Sequence, residues 1–331
     1  MGYSRKMKDS FGREINYLRI SVTDRCNLRC NYCQPSGICK LPMSKIMTYE
    51  QILLTCRAAV DLGITRFKIT GGEPLVRKDV CRLIKMIKEI PGVEQVTLTT
   101  NGILLNQFLP QLIDSGIDGI NISLDTLDRS VFNQITGFDG LNYVLESIDS
   151  CLNAGIKTKI NCVLQKGVNE NAWLELLEFV KNKKIDLRFI ELMPIGFGKS
   201  LEGINNYELL HRIEKVYGSP ESDFSEHGNG PALYVKLPGF KGSIGFISAM
   251  NGRFCSACNR LRLTTTGDLK SCLCFDKKRN IMDSFDLEAE EEVIRSLKMA
   301  FIAAINNKPV SHHFENKDLI TESLLMAQIG G

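Results

Sequence analysis

The first part of the chain alternates short β-branched segments with longer amphipathic ones. Six short segments between residues 17 and 191 predict strands, each ending near glycine or polar residues: 17–22, 66–70, 95–99, 118–123, 157–163 and 186–191. Helical patterns lie between them at 49–61, 77–90, 141–154 and 172–183. Because crossovers of this length join parallel strands, the pattern predicts an α/β fold, either a barrel or an open parallel sheet.

The alternation of predicted strands and helices ends after Gly196. Residues 202–230 are rich in Gly, Asn, Ser and charged residues, and short strands are then predicted at 232–237, 242–247 and 260–265, before a helix at 287–306. We therefore predict two domains, a barrel-forming domain at 1–196 and a carboxyl-terminal subdomain at 197–331.

Composition narrows the class of protein. The chain has 331 residues, 44% of them hydrophobic, and a formal net charge of +3, which is too balanced for a nucleic-acid or membrane surface. No apolar run approaches the roughly 18 residues of a membrane span, and the polar start has no signal-peptide core. We expect a cytoplasmic protein with no nucleic-acid and no membrane partner. In that compartment its 12 cysteines are more typical of metal or cluster ligands than of disulfides.

Three cysteines follow the first predicted strand within eight residues. Cys26, Cys30 and Cys33 have C-x3-C-x2-C spacing, which suits an iron-sulfur cluster that keeps one iron open for a reacting ligand. A zinc site would need a fourth ligand, for which Cys39 is the nearest cysteine. The group lies at the carboxyl ends of the predicted parallel strands, where α/β proteins bind their ligands.

The motif around these cysteines resembles the radical S-adenosylmethionine (SAM) superfamily, with Tyr32 at the aromatic position of C-x3-C-x-aromatic-C and Gly71-Gly72-Glu73-Pro74 at the end of the second strand. The resemblance implies a partial (βα)6 TIM-like barrel. It also implies a 4Fe-4S cluster whose open iron binds S-adenosyl-L-methionine, and an electron from the cluster would cleave that cofactor to a 5′-deoxyadenosyl radical. The implied cofactor-binding residues are Tyr32, Gly72, Glu73, Ser123 and Met193.

A second group comprises Cys255, Cys258 and Cys272, at C-x2-C-x13-C spacing, with Cys274 two residues further on. Spacing alone leaves a structural zinc site open. The run Phe254-Cys255-Ser256-Ala257-Cys258-Asn259-Arg260-Leu261-Arg262-Leu263 and the terminal Gly330-Gly331 are similar to the GTP 3′,8-cyclase family of molybdenum cofactor biosynthesis. That resemblance extends over nearly the whole chain. It implies a second 4Fe-4S cluster held by Cys255, Cys258 and Cys272.

The family resemblance also implies a GTP site in the barrel. The matching substrate-binding residues are Arg19, Lys68, Thr99, Lys159, Arg188, Arg260 and Arg262, and the implied catalytic residues are Arg260, Arg262, Gly330 and Gly331. All the substrate ligands but Thr99 are cationic, as a triphosphate requires. Lys68 stands where the family commonly has Arg, which replaces a two-pronged contact by a point charge.

The implied reaction converts GTP to (8S)-3′,8-cyclo-7,8-dihydroguanosine 5′-triphosphate, a lyase step of molybdopterin biosynthesis. Its implied partners are an electron donor such as flavodoxin or ferredoxin and the next pathway enzyme, cyclic pyranopterin monophosphate synthase. The family also implies a possible homodimer. The residues alone leave two alternatives open, a radical SAM enzyme that modifies a peptide and uses its second cluster for electron transfer, and a non-enzymatic iron-sulfur or zinc protein.

Overall fold

The computed structural model describes residues 7–35, 40–250 and 254–330. Within these ranges, twelve strands form one sheet. They are β1 (Tyr17–Ser21), β2 (Arg66–Thr70), β3 (Gln95–Thr100), β4 (Gly119–Ser123), β5 (Thr158–Cys162), β6 (Asp186–Ile190), β7 (Glu221–Asp223), β8 (Leu233–Lys236), β9 (Ile244–Ile247), β10 (Arg260–Leu263), β11 (Asp268–Lys270) and β12 (Lys278–Asn280).

Nine α-helices are present in the same ranges. They are α1 (Tyr49–Val60), α2 (Val80–Lys88), α3 (Leu105–Asp114), α4 (Arg129–Thr136), α5 (Leu141–Asn153), α6 (Ala172–Lys181), α7 (Asn206–Tyr217), α8 (Glu290–Asn306) and α9 (Met326–Ile329). In the described part of the chain, no helix has the length and apolar character needed to cross a membrane.

The strand order is β12-β11-β10-β1-β2-β3-β4-β5-β6-β9-β8-β7. The six central strands β1 to β6 run parallel, each beside the next in sequence, and β10 and β9 join their two edges in parallel. The predicted α/β partial barrel is therefore confirmed. Because all eight parallel strands point the same way, their carboxyl ends form one rim.

Alternation along the strands separates the apolar core from a polar lumen. On β1, Leu18 and Ile20 are fully buried in the hydrophobic core, and Arg19 between them points to the opposite face of the sheet. Lys68 and Asn121 occupy the same kind of position on β2 and β4, between buried apolar neighbours. This periodicity of two is what turns the barrel interior into a binding cavity.

The polar composition of residues 202–230 concealed a helix. In α7 the side chain of Asn205 caps the helix by accepting a hydrogen bond from the Tyr207 N–H group, and Leu209 and Ile213 bury the apolar face. Strands β9 and β10 come from the carboxyl-terminal part of the chain and extend the central sheet at both edges. The division into domains at residues 196 and 197 stays a prediction.

Candidate functional site at the barrel rim and lumen

The first cysteine group lies in the loop directly after β1. A turn closes it, because the N–H groups of Cys33 and Gln34 both donate to the carbonyl of Cys30, at 3.1 and 3.0 Å. The sulfur of Cys26 accepts hydrogen bonds from the Leu28 N–H group at 3.4 Å and from the Asn101 side chain at 3.7 Å. The loop thus gathers three half-buried thiols at the rim.

Burial makes these thiols difficult to ionise in the absence of a metal. It raises the pKa of Cys30 well above its usual range, with a further contribution from the neighbouring charge of Cys33. Burial likewise raises the pKa of Cys33 to about 12. Iron would supply the positive charge that the thiolates need, so this set of three sulfur donors fits a cluster.

The glycine pair brings the second strand against the cysteine loop. The Gly72 N–H group donates to the Thr23 carbonyl at 2.7 Å, and the Glu73 N–H group donates to the Arg25 carbonyl at 2.8 Å. A Cβ atom on Gly71 would lie 2.5 Å from the Thr23 carbonyl oxygen, and one on Gly72 would lie 2.3 Å from the Arg25 carbonyl oxygen. Only glycine permits this approach, which fixes the backbone immediately before Cys26.

Glu73 is completely buried behind the glycine pair. Its Oε1 accepts hydrogen bonds from the Leu75 N–H group at 3.0 Å and from the Thr100 hydroxyl at 2.8 Å, and its Oε2 accepts one from the Asn101 N–H group at 2.7 Å. Burial outweighs these bonds and raises the pKa of Glu73 to about 7. The carboxylate therefore ties the ends of β2 and β3 together at the rim.

The other predicted SAM-binding residues divide between two places. Tyr32 and Ser123 line one cavity with Cys30, and the Tyr32 hydroxyl donates to Asp125 Oδ2 at 2.8 Å. Burial raises the pKa of Asp125 to about 6. Met193 is half-buried and packs against a separate apolar cluster of the carboxyl-terminal segment. The structure thus brings Tyr32 and Ser123 to the first cysteine group.

The second cysteine group lies at the start of β10 and after β11. Burial opposes ionisation of Cys258, but the nearby charges of Lys308 and Arg260 outweigh it and lower the pKa of Cys258 to about 7. Burial raises the pKa of Cys272, partly opposed by Lys308. The Lys308 ammonium is fixed by the carbonyls of Arg260 at 3.0 Å and Ser271 at 2.6 Å. One buried cation thus favours thiolates at this group.

Cys274 differs from Cys272 in its surroundings. Two cysteines two residues apart would lie on the same face of a strand, but strand β11 ends at Lys270, before both of them. Cys274 is completely buried in an apolar cluster with Ile195 and Phe314, and its sulfur accepts a hydrogen bond from the His313 N–H group at 3.4 Å. Among the described residues, no three His, Cys, Asp or Glu side chains converge as ligands of a single metal ion.

The predicted substrate cations face one another across the barrel lumen. In the parallel register, Arg19 pairs with Lys68 on one side and with Arg262 on the other. Lys68, Lys159 and Arg188 are buried and line a common cavity. Thr99 also faces the lumen, where its hydroxyl oxygen lies 3.4 Å from the side-chain nitrogen of Asn121. The structure therefore brings the predicted GTP ligands into one chamber.

Crowding of positive charge shapes the electrostatics of this chamber. Burial, followed by the charges of Arg188, Arg19, Lys159 and Arg260, lowers the pKa of Lys68 well below its usual range. Burial and the charge of Arg188 lower the pKa of Lys159 to about 8, although Asp186 partly opposes them. Burial and the charges of Arg19 and Arg260 lower the pKa of Arg262 to about 9.

Several lumen atoms are also unsatisfied. Nε of Arg188, Nε of Arg260 and Oδ1 of Asn161 are buried without a hydrogen-bond partner among the described residues. Buried polar atoms are costly to leave unpaired, and unpaired ones in a cavity indicate a missing ligand. Because the lumen is cationic and contains unpaired polar atoms, it suits a ligand that is polar and negatively charged.

The carboxyl-terminal tail enters this chamber. The Gly330 carbonyl accepts a hydrogen bond from Arg262 Nη1 at 2.8 Å, and Gly330 has φ of +74°, a conformation that favours glycine. A Cβ atom there would lie 3.2 Å from the Thr70 hydroxyl oxygen, at the end of β2. The tail therefore connects β10 with the rim. Gly331 lies outside the described residues, as does Cys39.

Three residues of the site were not among the predicted ligands. Asn101 bonds to Cys26, Asp125 holds Tyr32, and Lys308 faces the second cysteine group. Asn101 and Asp125 do follow β3 and β4, so their place at strand ends was visible, but their partners come from distant parts of the chain. Lys308 follows α8, where a cation is ordinary and carries no indication of function.

The chain matches two family profiles, the Radical SAM superfamily at residues 20–180 and Molybdenum Cofactor Synthesis C at residues 185–314. A GTP 3′,8-cyclase of Clostridium perfringens (strain SM101 / Type A) is 43% identical over 326 residues, covering 98% of this chain and 100% of the relative. One from Moorella thermoacetica is 40% identical over 330 residues, again covering 98% of this chain and 100% of the relative.

A solved structure supports the fold. The crystal structure of Streptococcus suis SuiB bound to S-adenosylmethionine has a TM-score of 0.60 at 20% identity, covering 84% of this chain and 65% of that one. At this identity the likeness concerns the fold alone. The full-length sequence matches carry the assignment further: this chain belongs to the GTP 3′,8-cyclase family of the radical SAM superfamily.

Proposed function

We propose that the chain converts GTP to the 3′,8-cyclised guanosine triphosphate in molybdenum cofactor biosynthesis. The observation that carries this proposal is the lumen between the two cysteine groups, lined by six half-buried or buried cations: Arg19, Lys68, Lys159, Arg188, Arg260 and Arg262. Repulsion among them costs stability in the free protein. A bound triphosphate balances that charge, whereas a neutral peptide would not.

The cofactors of this family fit the residues at the rim. Cys26, Cys30 and Cys33 would hold the first 4Fe-4S cluster, next to the cavity that contains Tyr32 and Ser123. When reduced, that cluster supplies the electron that cleaves S-adenosylmethionine. We assign Gly72, Glu73 and Met193 to the S-adenosylmethionine site by family resemblance. Glu73 would act partly by joining the ends of β2 and β3, as its hydrogen bonds indicate.

A second 4Fe-4S cluster is part of the proposal, with Cys255, Cys258 and Cys272 as its ligands. Cys272 is preferred to Cys274 because it adjoins Lys308 and Arg262, whereas Cys274 is buried among apolar side chains. Arg260 and Arg262 would orient the substrate from β10. Arg262 also holds Gly330, so the tail would close the chamber over the substrate, with Gly331 completing it.

The remaining substrate ligands come from the central strands. Arg19, Lys68, Lys159 and Arg188 would bind the phosphates, and Thr99 would offer its hydroxyl from β3. We further propose a cytoplasmic location, a homodimer, and an electron donor such as flavodoxin or ferredoxin. The product would pass to cyclic pyranopterin monophosphate synthase.

The direct test is turnover by anaerobically reconstituted, reduced enzyme. Given GTP and S-adenosylmethionine, it should form 5′-deoxyadenosine together with a cyclised guanosine triphosphate. Absence of 5′-deoxyadenosine, or its formation without any change to GTP, would reject the function. A count of iron, sulfide and zinc tests the metal sites separately, since about eight irons support two 4Fe-4S clusters and four irons with one zinc exclude the second.

A further inference from the structure

The amino-terminal end of the barrel is closed by the chain between β7 and β8. We call residues 224–230 the floor segment. Its Asn229 accepts a hydrogen bond from Arg66 Nη1 at 2.6 Å and donates to Gln95 Oε1, so it is fastened to the first residues of β2 and β3. The cavity that contains Lys68, Lys159 and Arg188 is lined at this end by residues 227–230. The floor segment therefore bounds the cationic chamber.

Lys159 is the lumen cation that the floor segment holds directly. Its ammonium lies 3.0 Å from Asp186 Oδ2 and 3.1 Å from the Tyr234 hydroxyl oxygen, and it donates a hydrogen bond to the backbone carbonyl of His227. Three oxygen atoms thus surround the ammonium group, which acts on a phosphate as a point charge. The direction of the Lys159 side chain is thereby fixed.

His227 contributes to each of these three contacts. The backbone carbonyl that accepts a hydrogen bond from Lys159 belongs to His227 itself. The Nδ1 atom of His227 lies 2.8 Å from the same Asp186 Oδ2 atom that Lys159 contacts, and its ring stacks on the ring of Tyr234, with 3.8 Å between the centroids. On the opposite side of the imidazole ring, Nε2 of His227 lies 2.9 Å from Asp223 Oδ2, and the Asp223 side chain is only 4% exposed. One imidazole thus joins the end of β7 to the ammonium in the lumen.

We propose that His227 is a positioning residue for nucleotide binding, which holds Lys159 through Asp186 and Tyr234 at the point in the lumen where it meets the phosphates. This inference rests on the proposed function, because it takes Lys159 to be a GTP ligand. Lysine has a flexible four-carbon side chain with large rotamer entropy, and the charge of Arg188 repels its ammonium. Without His227, Lys159 would leave the position that binds phosphate.

Three substitutions separate the contacts of His227. His227→Ala removes the ring and with it the side-chain contacts. His227→Asn keeps an amide N–H group near the position of Nδ1, where it faces Asp186. His227→Gln instead keeps an amide N–H group near the position of Nε2, where it faces Asp223. His211→Ala is the matched control, since His211 is 72% exposed on α7. All are compared with wild type for GTP dissociation constant, KM, kcat, iron content and melting temperature.

We expect His227→Ala and His227→Gln to weaken GTP binding and raise KM about tenfold, the loss typical of one hydrogen bond to a charged group. His227→Asn should retain most of the affinity, and His211→Ala should match wild type. In every variant kcat should change less than about threefold, because Lys159 contacts the phosphates and not the reacting carbons. A merely structural role of His227 would lower the melting temperature without this order of variants.

A double-mutant cycle tests whether His227 acts through Lys159. If His227 acts through Lys159, the variant Lys159→Ala should bind GTP as weakly as the double variant Lys159→Ala/His227→Ala, within about twofold. Additive losses, or unchanged affinity in His227→Ala, would overturn the proposal. Should His227→Ala fail to fold, Tyr234→Phe gives an independent test, because it removes one oxygen from Lys159 and keeps the stacked ring. Unchanged GTP affinity in that variant would equally overturn it.

Failure of the proposed function gives a different result. If wild-type enzyme binds no GTP, the proposed function fails and this inference fails with it. If wild type binds GTP and every His227 variant binds it equally well, only the positioning role is rejected.

Discussion

A completely buried ion pair fastens the carboxyl-terminal tail near the second cysteine group. Lys270 on β11 lies 2.7 Å from Glu322 Oε2, and both side chains are 0% exposed. The Glu322 N–H group donates to the Cys274 carbonyl at 3.2 Å, and Oε1 accepts from the Leu324 N–H group at 2.9 Å. We predict that Glu322→Ala undocks residues 320–330 and strongly slows cyclisation without removing the iron.

The magnitude follows from a comparison of two terms. Removing one partner of a buried pair costs about 3–5 kcal/mol, because the other charge stays buried. Docking of the tail gains roughly 3–6 kcal/mol from burying Ile320 and Ile329, and about 1 kcal/mol from the bond between Arg262 and Gly330. The loss of the pair is comparable with the whole of these gains, and the conformational entropy of the backbone of residues 320–330 further opposes docking. The tail is therefore released before the barrel unfolds.

Hydrogen-deuterium exchange is the appropriate assay, since it reports the tail separately from the barrel. In Glu322→Ala, peptides covering 320–330 should exchange rapidly, peptides from β1 to β6 should remain protected, and GTP turnover should fall about 100-fold, as expected when a positioning group is displaced. Iron content should equal that of wild type.

Two variants complete the test. Lys270→Met/Glu322→Leu replaces the pair by apolar side chains and should keep the tail docked, because no buried charge is left unpaired. Glu202→Ala breaks the exposed pair with Lys166, whose side chains are 75% and 64% exposed, and should change stability by less than about 1 kcal/mol. A protected tail in Glu322→Ala would refute the reasoning, and so would release of the tail in Glu202→Ala.

Three further predictions concern the rim and lumen. Gly72→Ala should cost about 1–3 kcal/mol and lower the iron content, because its Cβ atom would lie 2.3 Å from the Arg25 carbonyl oxygen; full iron loading at wild-type stability would contradict this. GTP affinity should weaken as pH rises through about 8, because the lowered pKa of Lys159 means that its charge is present below that pH and lost above it. In a titration from pH 7 to 9, Lys159→Arg should reduce that dependence and leave the part due to Lys68 and Arg262, and a dependence as steep as in wild type would contradict this. Cys272→Ala should reduce the iron content from about eight to about four irons per chain. Cys274→Ala should keep the full iron content and lower the free energy of unfolding by about 1–2 kcal/mol, because it leaves a cavity. The reverse pattern would make Cys274 the ligand.

The central strands were predictable because the same residues satisfy two requirements. On β1, Leu18 and Ile20 supply the apolar face of the sheet, and their alternation with Arg19 also places the cation in the lumen. The predicted ends of the six central strands therefore differ by at most one residue from those observed. The alternation that identifies each strand also identifies the residues facing the chamber.

The helices that escaped prediction have less regular signals. Helix α3 contains Pro110, which usually ends a helical pattern, and α4 has only eight residues. Helix α7 is set among polar segments, so that composition obscured its two buried apolar positions. In each case tertiary packing stabilises a helix that local sequence only weakly favours.

Contacts between distant segments could not be read from spacing. His227 lies 41 residues from Asp186 along the chain and 68 from Lys159, and nothing near it in sequence marks it as more than an exposed polar histidine. Its role arises only because β7 and β8 extend the sheet beyond β9 and return the intervening chain beneath the barrel. The order of the strands in the sheet therefore decides which residues lie beneath the lumen, and it brings His227 to Lys159.

Parallel pairing of β10 with β1 explains why two cysteine groups so distant in sequence can serve one chamber. The pairing sets Arg262 beside Arg19 in register, so the strand that follows Cys258 has the same direction as the strand that precedes Cys26. Cys26 therefore lies beyond the carboxyl end of β1, whereas Cys258 lies before the amino end of β10. The cations between them line the interval that separates the two groups. A long substrate with a base at one end and phosphates at the other suits such an interval, because each end meets different chemistry.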